Sequence, residues 1–408
     1  MDKIRLSTPK GFRDFLPPDS LKRKFVLDKI ISVFEKFGFD PLETPTLEYA
    51  ETLRGKYGEE EKLIYQFTSL GGDELALKYD QTVPLARVIA QYGPNGSQKI
   101  ILPFKRYQLQ SAFRGENTQK GRYREFLQCD VDIVGSLSQV ADTEILALAY
   151  EVYQSLGLEV ILKVNDRSLL QDIEPKYLSS IDKLNKIGKD GVLNELGNKG
   201  LSTDEATRLL TKINSIKPSE HLQTISNYFN ELGYPKEILE FDPTLVRGLN
   251  YYTGLIFEVV LKSNLISSSL GGGGRYDNLI GMFANLAVPA VGFSVGLDRT
   301  IEALEEAGQI NVPSTQVTVL VTIFSKDLAQ ESANTASLLR AKNINTDLWL
   351  DLETKLDKQL KYADQKGIPY AVIIGPEEAE NKQFTLKDLI KQTQEKVSLE
   401  ELVNKLGP

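Results

Sequence analysis

Three arginines and a lysine fall within eleven residues of one segment, Phe113-Arg114-Gly115-Glu116-Asn117-Thr118-Gln119-Lys120-Gly121-Arg122-Tyr123-Arg124-Glu125-Phe126. Strand-like text flanks it on both sides, so the pattern predicts a long hairpin loop carrying guanidinium groups. A guanidinium is planar, permanently charged and forked, which suits it to phosphate oxygens. A bare charge run is ordinarily a solvated hairpin and nothing more. Here it continues into Leu127-Gln128-Cys129-Asp130-Val131-Asp132-Ile133-Val134-Gly135. Side chains alternate faces along a strand, so Gln128, Asp130 and Asp132 share one face. Burying such a face costs free energy unless a polar ligand meets it.

The remaining inventory narrows the chemistry. Cys129 is the only cysteine and His221 the only histidine among 408 residues. That excludes an intrachain disulfide and a within-chain zinc site built on nitrogen and sulfur ligands. Ser-His-Asp chemistry would need His221 as its base, and nothing around it in the sequence points that way. Catalysis must use Arg, Lys, Asp, Glu, Gln and Tyr, which suit charge stabilisation at phosphates better than proton shuttling. The run Gly271 to Gly274 is not a P-loop, since no Gly-Lys-Ser/Thr follows; glycine there lets backbone approach a ligand closely. Gly71-Gly72-Asp73-Glu74-Leu75 imitates a cyclic-dinucleotide cyclase signature but lacks its final aromatic and reads as a loop.

The elements that must position these groups follow from pattern. Residues 7–18 read as an extended arm punctuated by Pro and Gly. Asp19 or Ser20 caps a helix with Phe25, Ile30, Val33 and Phe37 at helical spacing, ended by Gly38. Pro41 to Pro45 is extended, and the text from there to about residue 135 is strand-like. Asp142 to Ser155 reads as a helix. Residues 167 to about 240 are lysine-rich, leucine-spaced and helical, as expected of an inserted module. A strand is expected at Leu255 to Leu261, and a strand passing into a helix at Gly292 to Ala303. After a linker at residues 311–314, strands alternate with helices (Val317 to Ile323, Ala329 to Ala341, Thr346 to Leu350, Lys355 to Gln365, Tyr370 to Ile374, then a last strand and helix). That alternation predicts a small α/β domain of about 90 residues.

Bulk properties set wide limits. The chain is 41% hydrophobic and 25% charged, with a formal net charge of −8 and a mean hydropathy of −0.24. An acidic balance counts mildly against nucleic acid held by bulk electrostatics, although a local groove can still be positive. No apolar run approaches the length of a membrane span, and residues 1–18 hold no signal-like apolar stretch. A cytoplasmic location is expected.

Phe-Arg-x-Glu followed by Gly-Arg-Tyr-Arg-x-Phe and then Gln resembles motif 2 of the class II aminoacyl-tRNA synthetases, in the form of the histidyl-tRNA synthetase family. Val291-Gly292-Phe293-Ser294-Val295-Gly296-Leu297-Asp298-Arg299 resembles motif 3, and Phe37 to Pro45 resembles motif 1. Leu245-Val246-Arg247-Gly248-Leu249-Asn250-Tyr251-Tyr252-Thr253-Gly254 and Gly273-Gly274-Arg275-Tyr276-Asp277 are similar to the histidine-specific signatures. With Tyr79 to Pro84 and Lys361 to Asp364, the likeness covers essentially the whole chain.

The resemblance implies an α+β catalytic domain built on an antiparallel sheet over residues 1–315, with the helical insertion at about 167–240. Residues 316–408 would form an α/β anticodon-binding domain. It implies activation of L-histidine by ATP, with Mg2+, and transfer to tRNA(His) by a homodimer. Arg114 and Arg247 would be catalytic, facing the α-phosphate. Arg114, Glu116, Arg122 and Arg299 would bind ATP. Asp80, Thr82 and Gln128 would take the ammonium of histidine, and Asp132 and Tyr252 its imidazole, with Tyr251 adjacent. Gln119 and Arg124 would meet the tRNA acceptor end. The chain departs from the family at Asn250, where the usual residue is Asp. Two alternatives are a non-catalytic regulatory paralogue of ATP phosphoribosyltransferase and a class II synthetase for another amino acid. The first usually lacks the C-terminal α/β domain and degrades the histidine signature, both of which this chain keeps.

Overall fold

The computed structural model describes every residue except 1–3, 5, 95, 120, 248–250, 264, 267, 285–286 and 408, and only the backbone of 59, 185, 186 and 284. Asn250, the departure noted above, lies outside the described residues. The chain forms two compact units, residues 1–14 with 26–310 and residues 15–25 with 311–408.

The first unit is built on a large sheet. Its strands are β1 (Asp40–Pro41), β5 (Phe104–Phe113), β6 (Glu125–Val134), β7 (Val160–Asp166), β8 (Leu239–Phe241), β9 (Leu255–Leu261), β10 (Gly271–Arg275) and β11 (Ala290–Gly296). A smaller sheet takes β2 (Leu47–Tyr49), β3 (Gln66–Thr68) and β4 (Glu74–Leu77). The large sheet runs β1-β5-β6-β11-β10-β9-β7-β8, and only its outermost pairs, β1 with β5 and β7 with β8, are parallel. Antiparallel strands can be joined by hairpins, and β5 and β6 make the expected one, paired from Phe104 opposite Val134 to Phe113 opposite Glu125.

Helix α1 (Asp19–Lys36) follows the arm and buries Val26, Ile30, Val33 and Phe34, one stripe at helical spacing. Gly38, at φ +77°, turns the chain out of it into β1. Two helices, α2 (Ala50–Leu53) and α3 (Thr82–Tyr92), lie where the sequence reads as strand. The physical reason is burial on most sides. Val83, Pro84, Leu85, Ala86, Val88 and Ile89 are all buried, and only Arg87 and Gln91, one turn apart, mark a polar side, too little to reveal the period. Helix α4 (Gln139–Ser155) begins one cap earlier than its apolar stripe suggests, with Ser138 accepting from the Val140 amide.

Four helices make the insertion: α5 (Pro175–Ile181), α6 (Leu184–Asn198), α7 (Thr203–Asn214) and α8 (Glu220–Glu231). The first three enclose an apolar core, to which α7 contributes Ala206, Leu210 and Ile213 from one face, while α8 packs against α4. Strand β8 then returns the chain to the large sheet. Helices α9 (Gly281–Ala284) and α10 (Leu297–Glu306) complete the unit, α10 directly after β11.

The second unit holds β12 (Val319–Val321), β13 (Thr346–Leu348), β14 (Tyr370–Ile373), β15 (Phe384–Asp388) and β16 (Thr393–Val397) in the order β13-β12-β14-β15-β16. Helices α11 (Ala329–Ala341), α12 (Leu356–Lys366), α13 (Pro376–Asn381) and α14 (Leu399–Leu406) join them. The first three strands are parallel and the last two form a hairpin. The alternation was legible; the β15–β16 hairpin replaces the single final strand expected from the pattern.

Candidate functional site

The floor of the site is the middle of the large sheet. Gln128, Asp130 and Asp132 of β6 stand opposite Gln110, Gln108 and Arg106 of β5, and opposite Gly296, Ser294 and Gly292 of β11. The three β6 side chains line a cavity of about 410 Å³. Asp132 accepts the Tyr276 hydroxyl at one oxygen, while its other oxygen lies 2.6 Å from the Arg106 guanidinium, an ion pair poorly aligned for a hydrogen bond. Burial pushes both aspartates up and Arg106 opposes it; Asp130, next to a second carboxylate, reaches about 7. Gly292 is required here, because a Cβ at that position would overlap the Asp132 carboxylate.

One end of the cavity is acidic and unsatisfied. Asp80 is 2% exposed. Its Oδ1 accepts from the Tyr57 hydroxyl at 2.9 Å and the Val83 amide at 3.1 Å, whereas Oδ2 is buried without a partner. Gln128 Oε1 is likewise buried and unpartnered. Thr82 shares a side-chain hydrogen bond with Tyr251, whose ring lies 4.9 Å from that of Tyr252 and 5.8 Å from that of Tyr276. Orphaned acceptors beside a wall of phenols call for a cation or several N–H donors.

Arginines gather around the rest of the lining, with Arg114 within electrostatic reach of Asp80. Arg114 donates from Nε to the Tyr79 carbonyl at 3.1 Å and spreads over the Tyr79 ring at 4.4 Å. Arg247 donates to Glu258 at 3.0 Å and stands 6.0 Å from the Tyr252 ring. Its φ of +60° is rare for a side chain of this size. Burial works against its charge, but Tyr252 and Glu258 more than offset that and hold it protonated. A Cβ at Gly272 would come 2.7 Å from Arg247 Nη1, so the glycine strand makes room for this guanidinium. Arg299, in the first turn of α10, donates to the Ser269 carbonyl at 2.9 Å. Burial lowers its affinity for its proton, and so do Arg122 and Arg247 nearby. Arg122 reaches Glu116 at 3.4 Å. Converging guanidiniums with too few carboxylates among them form a ready anion site.

Every residue that the sequence assigned to histidine or ATP lines this one cavity. Gln119 and Arg124 do not. Gln119 is exposed and bridges backbone to backbone with Arg122, while Arg124 donates from Nε to the Glu116 carbonyl at 3.1 Å and holds Gly11 through its amide. His221 lies outside the cavity, 3.2 Å from Asp142 and 3.5 Å from Asp166, each through one ring nitrogen. Sequence reasoning missed Tyr57 and Arg106. The polar alternation Arg106, Gln108, Gln110 on β5 was a readable signal of the same kind as that on β6; Tyr57 carried none.

Comparison with known proteins follows from this geometry. A family model described as Histidyl-tRNA synthetase matches residues 11–187 and 189–300, and one described as Anticodon binding domain matches residues 316–407. The chain is 39% identical to a histidine–tRNA ligase of Christiangramia forsetii, covering 94% of this chain and 95% of the relative. It is 40% identical to one from Aeropyrum pernix, over 97% and 96% of the two. Among solved structures, the histidyl-tRNA synthetase from a Nostoc species superposes with a TM-score of 0.84 at 32% identity, covering 99% of both chains.

Proposed function

Because this chain belongs to the histidyl-tRNA synthetase family, we propose that the cavity on its large sheet is where histidine and ATP meet. The activity is that of a histidine–tRNA ligase: L-histidine and ATP give histidyl-adenylate and diphosphate, and the histidyl group then passes to the 3′ end of tRNA(His). The observation that carries the site assignment is its polarity. Unpartnered acceptors of Asp80 and Gln128 share one cavity with the guanidiniums of Arg114, Arg122, Arg247 and Arg299.

Histidine lies with its ammonium against Asp80, Thr82 and Gln128 and its ring toward Asp132 and Tyr252, with Tyr251 beside it. That leaves its carboxylate facing the arginines. A carboxylate oxygen attacks the α-phosphorus, and the bond to the bridging oxygen breaks, releasing diphosphate. Negative charge builds on the α-phosphate oxygens, where Arg114 and Arg247 stabilise it. Arg122 and Arg299 hold the outer phosphates, with Glu116 fixing Arg122. In the second step a hydroxyl of the terminal ribose attacks the carbonyl carbon and AMP departs. Gln119 and Arg124 lie on the loop nearest that acceptor end.

Magnesium would enter with ATP. It would be held chiefly by phosphate and water, with Glu116 or Glu258 of the cavity lining sharing it. Residues 316–408 serve tRNA binding, in keeping with the anticodon-domain match. The segment Phe37 to Pro45 serves a homodimer interface. A cytoplasmic location accords with these partners. ATP–diphosphate exchange measured against all twenty amino acids tests the reading: exchange with histidine alone supports it, and exchange with another amino acid or none refutes it.

A further inference from the structure

Behind the cavity floor, β5 carries its own polar row. Arg106 and Gln108 are 0% and 1% exposed, and with Gln110 they form one connected chain of contacts. Lys78 Nζ and the Thr44 amide both donate to Gln110 Oε1, at 2.7 and 3.2 Å. Gln108 Nε2 donates to Gln110 Oε1 at 2.5 Å and to Thr44 Oγ1 at 2.8 Å. Arg106 Nη1 donates to Gln108 Oε1 at 3.1 Å, and its Nη2 meets Asp132 Oδ2 at 2.6 Å. The row ends on the carboxylate whose other oxygen accepts from Tyr276.

The charge balance is informative. Asp130 and Asp132 point the same way from one strand, and Arg106 sits directly opposite Asp132 in the register. Burial raises both carboxylates and Arg106 opposes it at each, with Lys78 a second cation near Asp130, which reaches about 7. Orientation is held from both sides: Tyr276 donates to one Asp132 oxygen, and Arg106 Nη2 lies against the other while Gln108 holds the guanidinium through Nη1.

We propose that Arg106 is the positioning residue for imidazole recognition: paired with Asp132 from the neighbouring strand, it opposes the cost of burying that carboxylate's charge and holds it as an acceptor for a ring N–H. This rests on the reading of Asp132 given above. Arg106 itself touches no substrate. Its effect belongs to histidine and not to ATP, which a residue that merely supports the sheet would not achieve.

The test uses full-length enzyme in ATP–diphosphate exchange, with Arg106→Met, Arg106→Lys and, in parallel, Asp132→Ala, folding being checked by thermal unfolding. Arg106→Met should raise the KM for histidine by at least about tenfold while the KM for ATP stays within about twofold. Arg106→Lys keeps the charge without the fork and should recover part of the loss. The acid limb of the pH profile for histidine should move to higher pH in Arg106→Met, as Asp132 loses the charge that opposes its protonation. If Arg106→Met does not fold, a severalfold, histidine-selective rise in Arg106→Lys carries the case. Equal rises for histidine and ATP, or an unmoved acid limb with lysine no better than methionine, would overturn it. An unchanged histidine constant in Asp132→Ala would instead defeat the underlying site assignment. A raised constant in Asp132→Ala with none in the Arg106 variants would defeat this inference alone.

Discussion

Arg247 shows what a single residue must satisfy to act as a cation at a phosphate. It is held in a left-handed backbone conformation, tethered to Glu258 and admitted by a glycine strand. Its charge is permanent and its fork matches an α-phosphate oxygen that gains charge in the transition state. Arg247→Ala should lose roughly a hundredfold to a thousandfold in single-turnover adenylate formation, and Arg247→Lys should fall between. Transfer from preformed histidyl-adenylate should be largely spared and histidine binding should change much less. Equal loss in both steps would make the residue structural. At this scale the sequence was highly legible. Arg114, Arg247, Gln128 and Asp132 stood in distinctive local patterns, and each lines the cavity. Tyr57 was not legible, because its meaning comes from Asp80, a partner on a separate element that nothing local announces.

Among the elements, the helical insertion is tied to the large sheet by the one imidazole of the chain. His221, near the start of α8, lies between Asp142 of α4 and Asp166 at the end of β7, and Asp142 is also gripped by Arg275 of β10 at 2.9 Å. Hydrogen bonds to the two aspartates raise His221 to about 9 from an ordinary 6.5. Burial alone would raise Asp166, but His221 and two serines take it down to about 2. The His221 contribution is therefore complete below about pH 6.5 and lost as pH rises through about 9. That of Asp166 is complete above about pH 3.8 and lost as pH falls toward 2. His221→Asn should cost on the order of 2 kcal/mol at pH 6, after allowing for partial solvent screening, and little at pH 10. Urea unfolding at both pH values measures this; a difference independent of pH would show that packing, not charge, holds the helix. Periodicity revealed the insertion because its helices keep a broad wet face, and concealed α3 because there only Arg87 and Gln91 mark one.

For the molecule as a whole, the expected boundary near residue 315 rests on the linker at residues 311–314, and the division of labour across it on the ATP and histidine motifs, which all lie before residue 300. A fragment ending near Pro313 should still exchange diphosphate with histidine but charge tRNA poorly. Full charging by that fragment would refute the proposed division of labour. Light scattering should give twice the chain mass for the intact protein; a stable, fully active monomer would remove the role given to Phe37 to Pro45. Fold class was readable from the order of motifs and from the β-α alternation after residue 316. Pairing order in the large sheet was not, because β10 is four glycines and an arginine, with none of the β-branched or aromatic residues that usually signal a strand.

Those glycines, with Gly292 across from them, also bear on how this gene can change. Every single-base substitution that alters a glycine codon adds at least a methyl group or ends the chain. At Gly272 that methyl meets Arg247, and at Gly292 it meets Asp132. Point mutation therefore reaches the α-phosphate end or the imidazole end of the cavity without touching a polar residue. A randomised library at these two codons, selected for growth on the encoded enzyme alone, should return glycine at both. Attempts to retarget the site to other amino acids will have to draw their variation from the side chains around it, such as Asp80, Thr82, Asp132 and Tyr252, because these two glycines have no volume to give.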